Sequence, residues 1–166
     1  VLLLTGSADD AANAANLYHS DLAFIAQGVH LTRDLATEPG KNMYPQAFVD
    51  VVKAKFKGIK NVDIDVLDMR DIKKLKMGAL DGVGLGSIND PRLLVINYRG
   101  SQKADAPIAL VGKGITFDTG GISIKPNTGM WAMKSDLSGA AAVAGTLYAS
   151  AQRCHNTHLS GFMTLA

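Results

Sequence analysis

Residues 111–142 read VGKGITFDTGGISIKPNTGMWAMKSDLSGAAA. An apolar run, Ile108-Ala109-Leu110-Val111, leads into this stretch and has the length and composition of a buried strand. A small-residue segment, Gly139-Ala140-Ala141-Ala142-Val143-Ala144-Gly145, follows it and reads as a tightly packed helix. Two lysines, Lys113 and Lys125, and two aspartates, Asp118 and Asp136, therefore fall at a strand end, in a glycine-rich loop and at the mouth of a helix. In open α/β sheets, ligands and chemistry gather at such strand ends.

Working backwards, Leu93–Tyr98 (LLVINY) is a second buried strand and Gly100–Ala106 a polar loop. Ala79–Ser87 (ALDGVGLGS) is expected to be a glycine-spaced strand or strand–turn. Its Gly82-x-Gly84-x-Gly86 spacing is not that of a dinucleotide fingerprint. Val62–Leu67 alternates apolar and acidic residues, as a half-buried strand near an edge does, with Asp63 and Asp65 on the solvent face. Asp68 is placed to cap a short helix over Met69–Met77, which Gly78 ends. Pro45 suits the first position of a helix to about Lys57, with Ala47, Val51, Phe48 and Val52 at helical spacing. Its Lys53, Lys55 and Lys57, with Lys60, read as a solvated face or a phosphate or nucleic-acid patch.

Ser20 is expected to cap a helix to about Thr37 with Leu22, Ile25, Val29 and Leu35 on its apolar face. Upstream, 5–16 is small and polar, a loop or weak helix, and Val1–Leu4 a short strand. At the other end, Leu159–Ala166 reads as a strand that would lie beside later strands, leaving a long apolar edge if they are lost. These elements predict an α/β domain with a mixed, mostly parallel sheet flanked by helices.

The 166 residues suffice for one domain, and a formal charge of +2 with both signs interspersed does not point to nucleic acid. A single cysteine, Cys154, rules out an intrachain disulfide framework and fits a reducing compartment, so a cytoplasmic location is expected. No apolar run approaches the roughly 20 residues of a membrane span. Cys154, His155 and His158 (CHNTH) have a zinc-like composition, but their spacing matches no standard finger, and a polar helix-to-strand turn is expected. The chain is expected to be part of a longer protein, with residues 1–166 one partial catalytic domain and 1–18 a remnant of a linker or preceding region.

Gly112-Lys113-Gly114 lacks the spacing of a phosphate loop, and a lone Asp118-Thr119-Gly120 would need a dimer to serve an aspartic protease. Taken together, Asp118 and Asp136 are hard oxygen donors able to hold a divalent cation. A lysine amine ligates only when neutral, which burial and a neighbouring dication favour, and Lys113 lies five residues before Asp118. Lys125 suits a charged role opposite an oxyanion. The opposing reading makes both lysines surface charges and both aspartates turn or cap residues, with Asp136 capping a helix from near Leu137. Spacing alone leaves the two readings open.

VGKGITFDTGGISIKP followed by GMWAMKSDLSGAAA resembles the signature of the M17 leucyl aminopeptidase family. RDLATEPGKNMYP is similar to the family's segment at the start of its catalytic domain, with Gly40-Lys41 where Ala-Asn is common. The resemblance runs from about Leu31 to Ala166. It implies that Lys113, Asp118 and Asp136 are metal ligands, with Asp118 bridging two Zn2+ or Mn2+ ions. It implies that Lys125 is the catalytic lysine, and that Met133 lines the pocket for the substrate's N-terminal side chain. It further implies peptide substrates with a free N-terminus and a homohexamer. The family's second motif, Asn-Thr-Asp-Ala-Glu-Gly-Arg, which carries the remaining carboxylate ligands, is absent from the 166 residues. The expectation is a dinuclear-metal aminopeptidase as the full-length protein, with at most one ion held by this chain alone. The alternative is an inactive structural or interaction module of the same fold.

Overall fold

A computed structural model describes residues 6–100 and 107–166. The strand expected at Val1–Leu4 and most of the polar loop before β3 lie outside the described residues. The N-terminal region is helical: α1 (Ala8–Leu17), a wider π turn over Tyr18–Leu22, then α2 (Ala23–Thr37). Ser7, not Ser20, is the cap, accepting the Asp10 N–H at 3.1 Å. The segment read as a loop or weak helix holds alanines at 8, 11, 12, 14 and 15, the strongest helix former, behind a good cap.

Next come α3 (Pro45–Phe56), β1 (Val62–Leu67), α4 (Met69–Lys74), α5 (Gly78–Gly84), β2 (Arg92–Tyr98) and β3 (Ile108–Gly114). A 3-10 segment (Met130–Leu137), α6 (Ser138–Gln152) and β4 (Leu159–Leu165) complete the chain. Pro45 sits at the first turn of α3, and Asp68 caps α4 in a reciprocal capping box with Asp71, both as expected. Most of the Ala79–Ser87 stretch lies in α5 (Gly78–Gly84) rather than in a strand. Leu80 buries against Ile72 and Leu93, and a Cβ at Gly84 would run into the Pro91 ring, so packing overrides glycine's poor helix propensity.

The four strands form one sheet in the order β1-β2-β4-β3. The expected mixed sheet flanked by helices is what forms, but the balance of directions reverses. β1–β2 and β2–β4 are antiparallel, and only β3–β4 is parallel. α6 crosses from β3 to β4 as a parallel pair requires, whereas α4 and α5 return the chain from β1 to an antiparallel β2. β4 is also not an edge. It lies between β2 and β3, so the free edges among the described residues are β1 and β3.

Register puts Ile64, Ile96 and Gly161 on one face with Leu94 and Met163, and this face carries the main core against α2, α3 and α6. Leu93, Val95 and Phe162 face the other way, toward Ile72 and Leu80 of α4 and α5. Phe48, Val49, Val52 and Phe56 are the buried side of α3, while Val51 is exposed.

The face of α2 differs from expectation. Leu35 is buried, but Leu22, Ile25 and Val29 are exposed, and Gly28 and Leu31 turn inward. The crossing with α6 decides this. A Cβ on Gly28 would lie 2.5 Å from the Gly145 carbonyl, and Thr32 Oγ1 donates to Ala141 O at 3.2 Å. Backbones that close fix the rotation of both helices and turn the larger apolar side chains outward.

Candidate functional site

The site is built at the carboxyl end of β3. A Cβ on Gly112 would lie 2.5 Å from Gly139 O and 2.6 Å from Ala140 N, so α6 begins in direct contact with the strand. That contact carries the 3-10 segment over the strand end and brings Asp136 to Lys113, where Nζ donates to Oδ2 at 2.6 Å. Asp136 caps nothing: Leu137 holds the N-cap position of α6, and no side chain bonds there. The cap reading left open by spacing is thus replaced by an ion pair.

Between Gly114 and Met130 the chain folds back on itself. Lys125 Nζ donates to Asp118 Oδ2 at 2.9 Å and contacts Met133 Sδ at 3.2 Å. Asp118 Oδ1 accepts the Gly120 N–H at 2.8 Å, and the Lys125 N–H donates to Thr119 O at 2.9 Å. The Asp118 N–H reaches Met133 O at 3.4 Å, which ties the loop to the 3-10 segment. Lys113 Nζ lies 3.8 Å from the same Asp118 Oδ2. All five residues singled out in the sequence therefore come together: Lys113 and Lys125 both approach Asp118 Oδ2, Asp136 joins through Lys113 and Met133 through Lys125.

The electrostatics follow from these contacts. The Lys125 hydrogen bond, with the Gly120 N–H behind it, holds the Asp118 carboxyl down at about 2, against burial that works the other way. The hydrogen bond to Asp136 raises Lys113 above the usual lysine range. Both aspartate side chains are about a quarter exposed (25% and 23%), Lys125 is 34% exposed and Lys113 57%. Two carboxylates, from Asp118 and Asp136, thus converge with the two lysine side chains, Lys113 and Lys125. That donor set fits a divalent cation: hard oxygens favour one, and a dication beside Lys113 would displace its proton. Lys125 faces the carboxylates without being needed as a donor.

The other sequence candidates stand apart. Asp63, on β1, pairs with Arg99 at 2.7 Å. Cys154, His155 and His158 form the helix-to-strand turn, with Cys154 exposed at φ 50°. Among the described residues, no group of three or more His, Cys, Asp and Glu converges. The role of the Gly120 amide was not read from the sequence. The doubled glycine after Asp118-Thr119 was its signal.

A family model described as "Cytosol aminopeptidase family, catalytic domain" matches residues 30–166. The chain belongs to the cytosol aminopeptidase family. Among curated relatives, a probable cytosol aminopeptidase of Chelativorans sp. (strain BNC1) is 45% identical over 154 residues, 92% of this chain and 30% of that protein. One from Pseudomonas fluorescens (strain SBW25) is 50% identical over 125 residues, 75% of this chain and 25% of that protein. Among solved structures, the apo leucyl aminopeptidase from Trypanosoma cruzi superposes with a TM-score of 0.82 at 31% identity, over 89% of this chain and 28% of that one. The bottromycin maturation enzyme BotP in complex with Mn gives 0.78 at 34% identity, over 86% and 30%. The chain spans no more than about a third of the length of these family members, and it carries their α/β fold.

Proposed function

We propose that the full-length protein is a dinuclear-metal aminopeptidase that releases N-terminal, leucine-like residues from peptides. The observation that carries this is the convergence of Lys113, Lys125 and Asp136 on or beside Asp118 at a strand end. Lys113, Asp118 and Asp136 would hold the metal. When bound, divalent cations supply Lewis-acid polarisation and a water of lowered pKa for peptide hydrolysis. A solved relative named in complex with Mn supports a divalent ion, Zn2+ or Mn2+.

The chain's own groups do the rest. The Lys125 ammonium is held by Asp118 and beside Met133, and would stabilise the negative charge that develops on the scissile carbonyl oxygen. Met133, half-buried beside it, would line the pocket for the first side chain. Peptides with a free N-terminus are the proposed substrates and the cytoplasm the proposed location, both in line with the relatives' name, cytosol aminopeptidase; a homohexamer is the proposed assembly. No helix among the described residues is long and apolar enough to cross a membrane.

These 166 residues offer two carboxylates and one amine at the site, too few to fix two dications, so the isolated chain should bind at most one ion and show no turnover. Hydrolysis of leucyl-anilide by the full-length protein, lost on chelation and restored by Zn2+ or Mn2+, is the expected result. A full-length protein that binds metal without hydrolysing any aminoacyl-anilide would instead favour the inactive module. Two tightly held ions and turnover in residues 1–166 alone would overturn the ligand assignment.

A further inference from the structure

We propose that Gly120 is a positioning residue: it closes the 118–125 loop into a ring that sets Asp118 and Lys125 in one fixed relationship. This rests on the aminopeptidase reading, because the two groups it aligns are the metal-holding carboxylate and the oxyanion-stabilising ammonium of that reading.

Three bonds define the ring. The Gly120 N–H holds Asp118 Oδ1 at 2.8 Å, the Lys125 N–H holds Thr119 O at 2.9 Å, and the Lys125 side chain returns to Asp118 Oδ2 at 2.9 Å. The first and third engage the two different oxygens of one carboxylate. The carboxylate plane and the ammonium position are therefore set together.

Only glycine permits this closure. Its φ of +104° lies outside the regions open to other residues. A Cβ built there would stand 2.5 Å from Ser123 O, 3.0 Å from the Lys125 backbone nitrogen and 3.3 Å from Ile124 Cα. These are backbone atoms, so no side-chain rotation relieves the collision. A side chain at 120 must therefore push the 123–125 segment away from Asp118 and carry Lys125 with it. Gly121 is the internal contrast. Its φ of +121° is no less demanding, yet a Cβ there meets nothing within 4 Å. Alanine at 121 brings backbone strain alone, whereas alanine at 120 brings strain and displacement of the catalytic amine.

The test compares Gly120→Ala and Gly121→Ala in the full-length protein, measuring kcat, KM, bound metal and thermal midpoint. Displacement of a reacting group by about 1 Å can cost about 10²-fold in rate, and that loss is expected in kcat for Gly120→Ala, with KM within about threefold. Gly121→Ala should keep kcat within about tenfold, the scale of backbone strain alone. Equal kcat losses in the two variants, or a Gly120→Ala enzyme with wild-type kcat, would overturn the assignment. If Gly120→Ala fails to fold, or the wild type has no peptidase activity, amide hydrogen exchange on the wild type decides. The ring requires the Lys125 amide to be protected, and exchange at the rate of an open chain refutes it. Protection of that amide in a protein without peptidase activity would sink the functional reading and leave the ring standing.

Discussion

Lys113 and Asp136 are 23 positions apart in the chain, yet Nζ and Oδ2 lie 2.6 Å apart because α6 begins against the backbone of Gly112. One residue belongs to a strand and the other to a 3-10 segment, so neither element presents the pair by itself. The contact between strand and helix start is what makes the lysine and the aspartate neighbours, as the proposed pair of metal donors requires.

Removing either donor should weaken metal binding. Lys113→Met and Asp136→Asn in the full-length protein are each expected to lower metal affinity more than tenfold, since even residues that only support ligands cost about 10–100-fold. Equilibrium dialysis followed by elemental mass spectrometry gives the number. Unchanged affinity in both variants would remove the pair from the metal site.

Lys125 should behave differently. Lys125→Met is expected to retain bound metal while kcat falls about 10²–10³-fold, the usual cost of losing one oxyanion-stabilising donor. Steady-state kinetics on leucyl-anilide, paired with metal analysis of the same sample, separates the two effects. Loss of metal in parallel with rate would instead make Lys125 a support for Asp118.

Met133 tests the pocket. Placing a charge there, Met133→Lys, should reduce kcat/KM for leucyl-amide by at least about tenfold, as for a poor fit between apolar pocket and side chain. Equal kcat/KM in variant and wild type would exclude Met133 from contact with the substrate.

Asp68 gives a pH signature remote from the site. The backbone N–H groups of Asp71 and Arg70 donate to it and hold its carboxyl below its ordinary value of 3.8. A carboxyl lowered in the folded state stabilises above its ordinary value and loses that contribution as pH falls through the lowered one. Asp68→Ala should thus lower the melting temperature by about 2–4 °C at pH 7, with the deficit shrinking below pH 3.8. Melting curves from pH 7 to 2 test it, and a deficit constant across that range would mean the charge of Asp68 contributes nothing.

Much of the architecture was legible because the signals were local. Asp68 and Pro45 mark helix starts through their own backbone chemistry, and the alternation of Val62–Leu67 shows a strand with one wet face. The misreadings came where a distant contact outweighed a local preference. Gly82 and Gly84 lie in a helix because Leu80 has a pocket and Pro91 leaves room only for hydrogen at 84. Leu22, Ile25 and Val29 face outward because the Gly28–Gly145 crossing sets the rotation of α2. β4 lies inside the sheet because both β2 and β3 pair with it, a fact of connectivity that no single strand encodes.

For the site, the sequence by itself determined the cast: two aspartates, two lysines and a methionine around a glycine-rich turn, in a pattern specific enough to name a family. Residue type and spacing suffice for that, because donor chemistry belongs to the side chain. Only the tertiary structure decided the pairing. Sequence spacing left Asp136 as cap or ligand, and the fold chose by setting α6 on Gly112, which leaves the helix start to Leu137 and turns Asp136 toward Lys113. It also set Asp118 between Lys113 and Lys125, through a glycine amide whose importance depends on what surrounds it. The physical reason is range: propensity and chemistry act within a few residues, whereas distance and orientation between donors are fixed by backbone contacts made far along the chain.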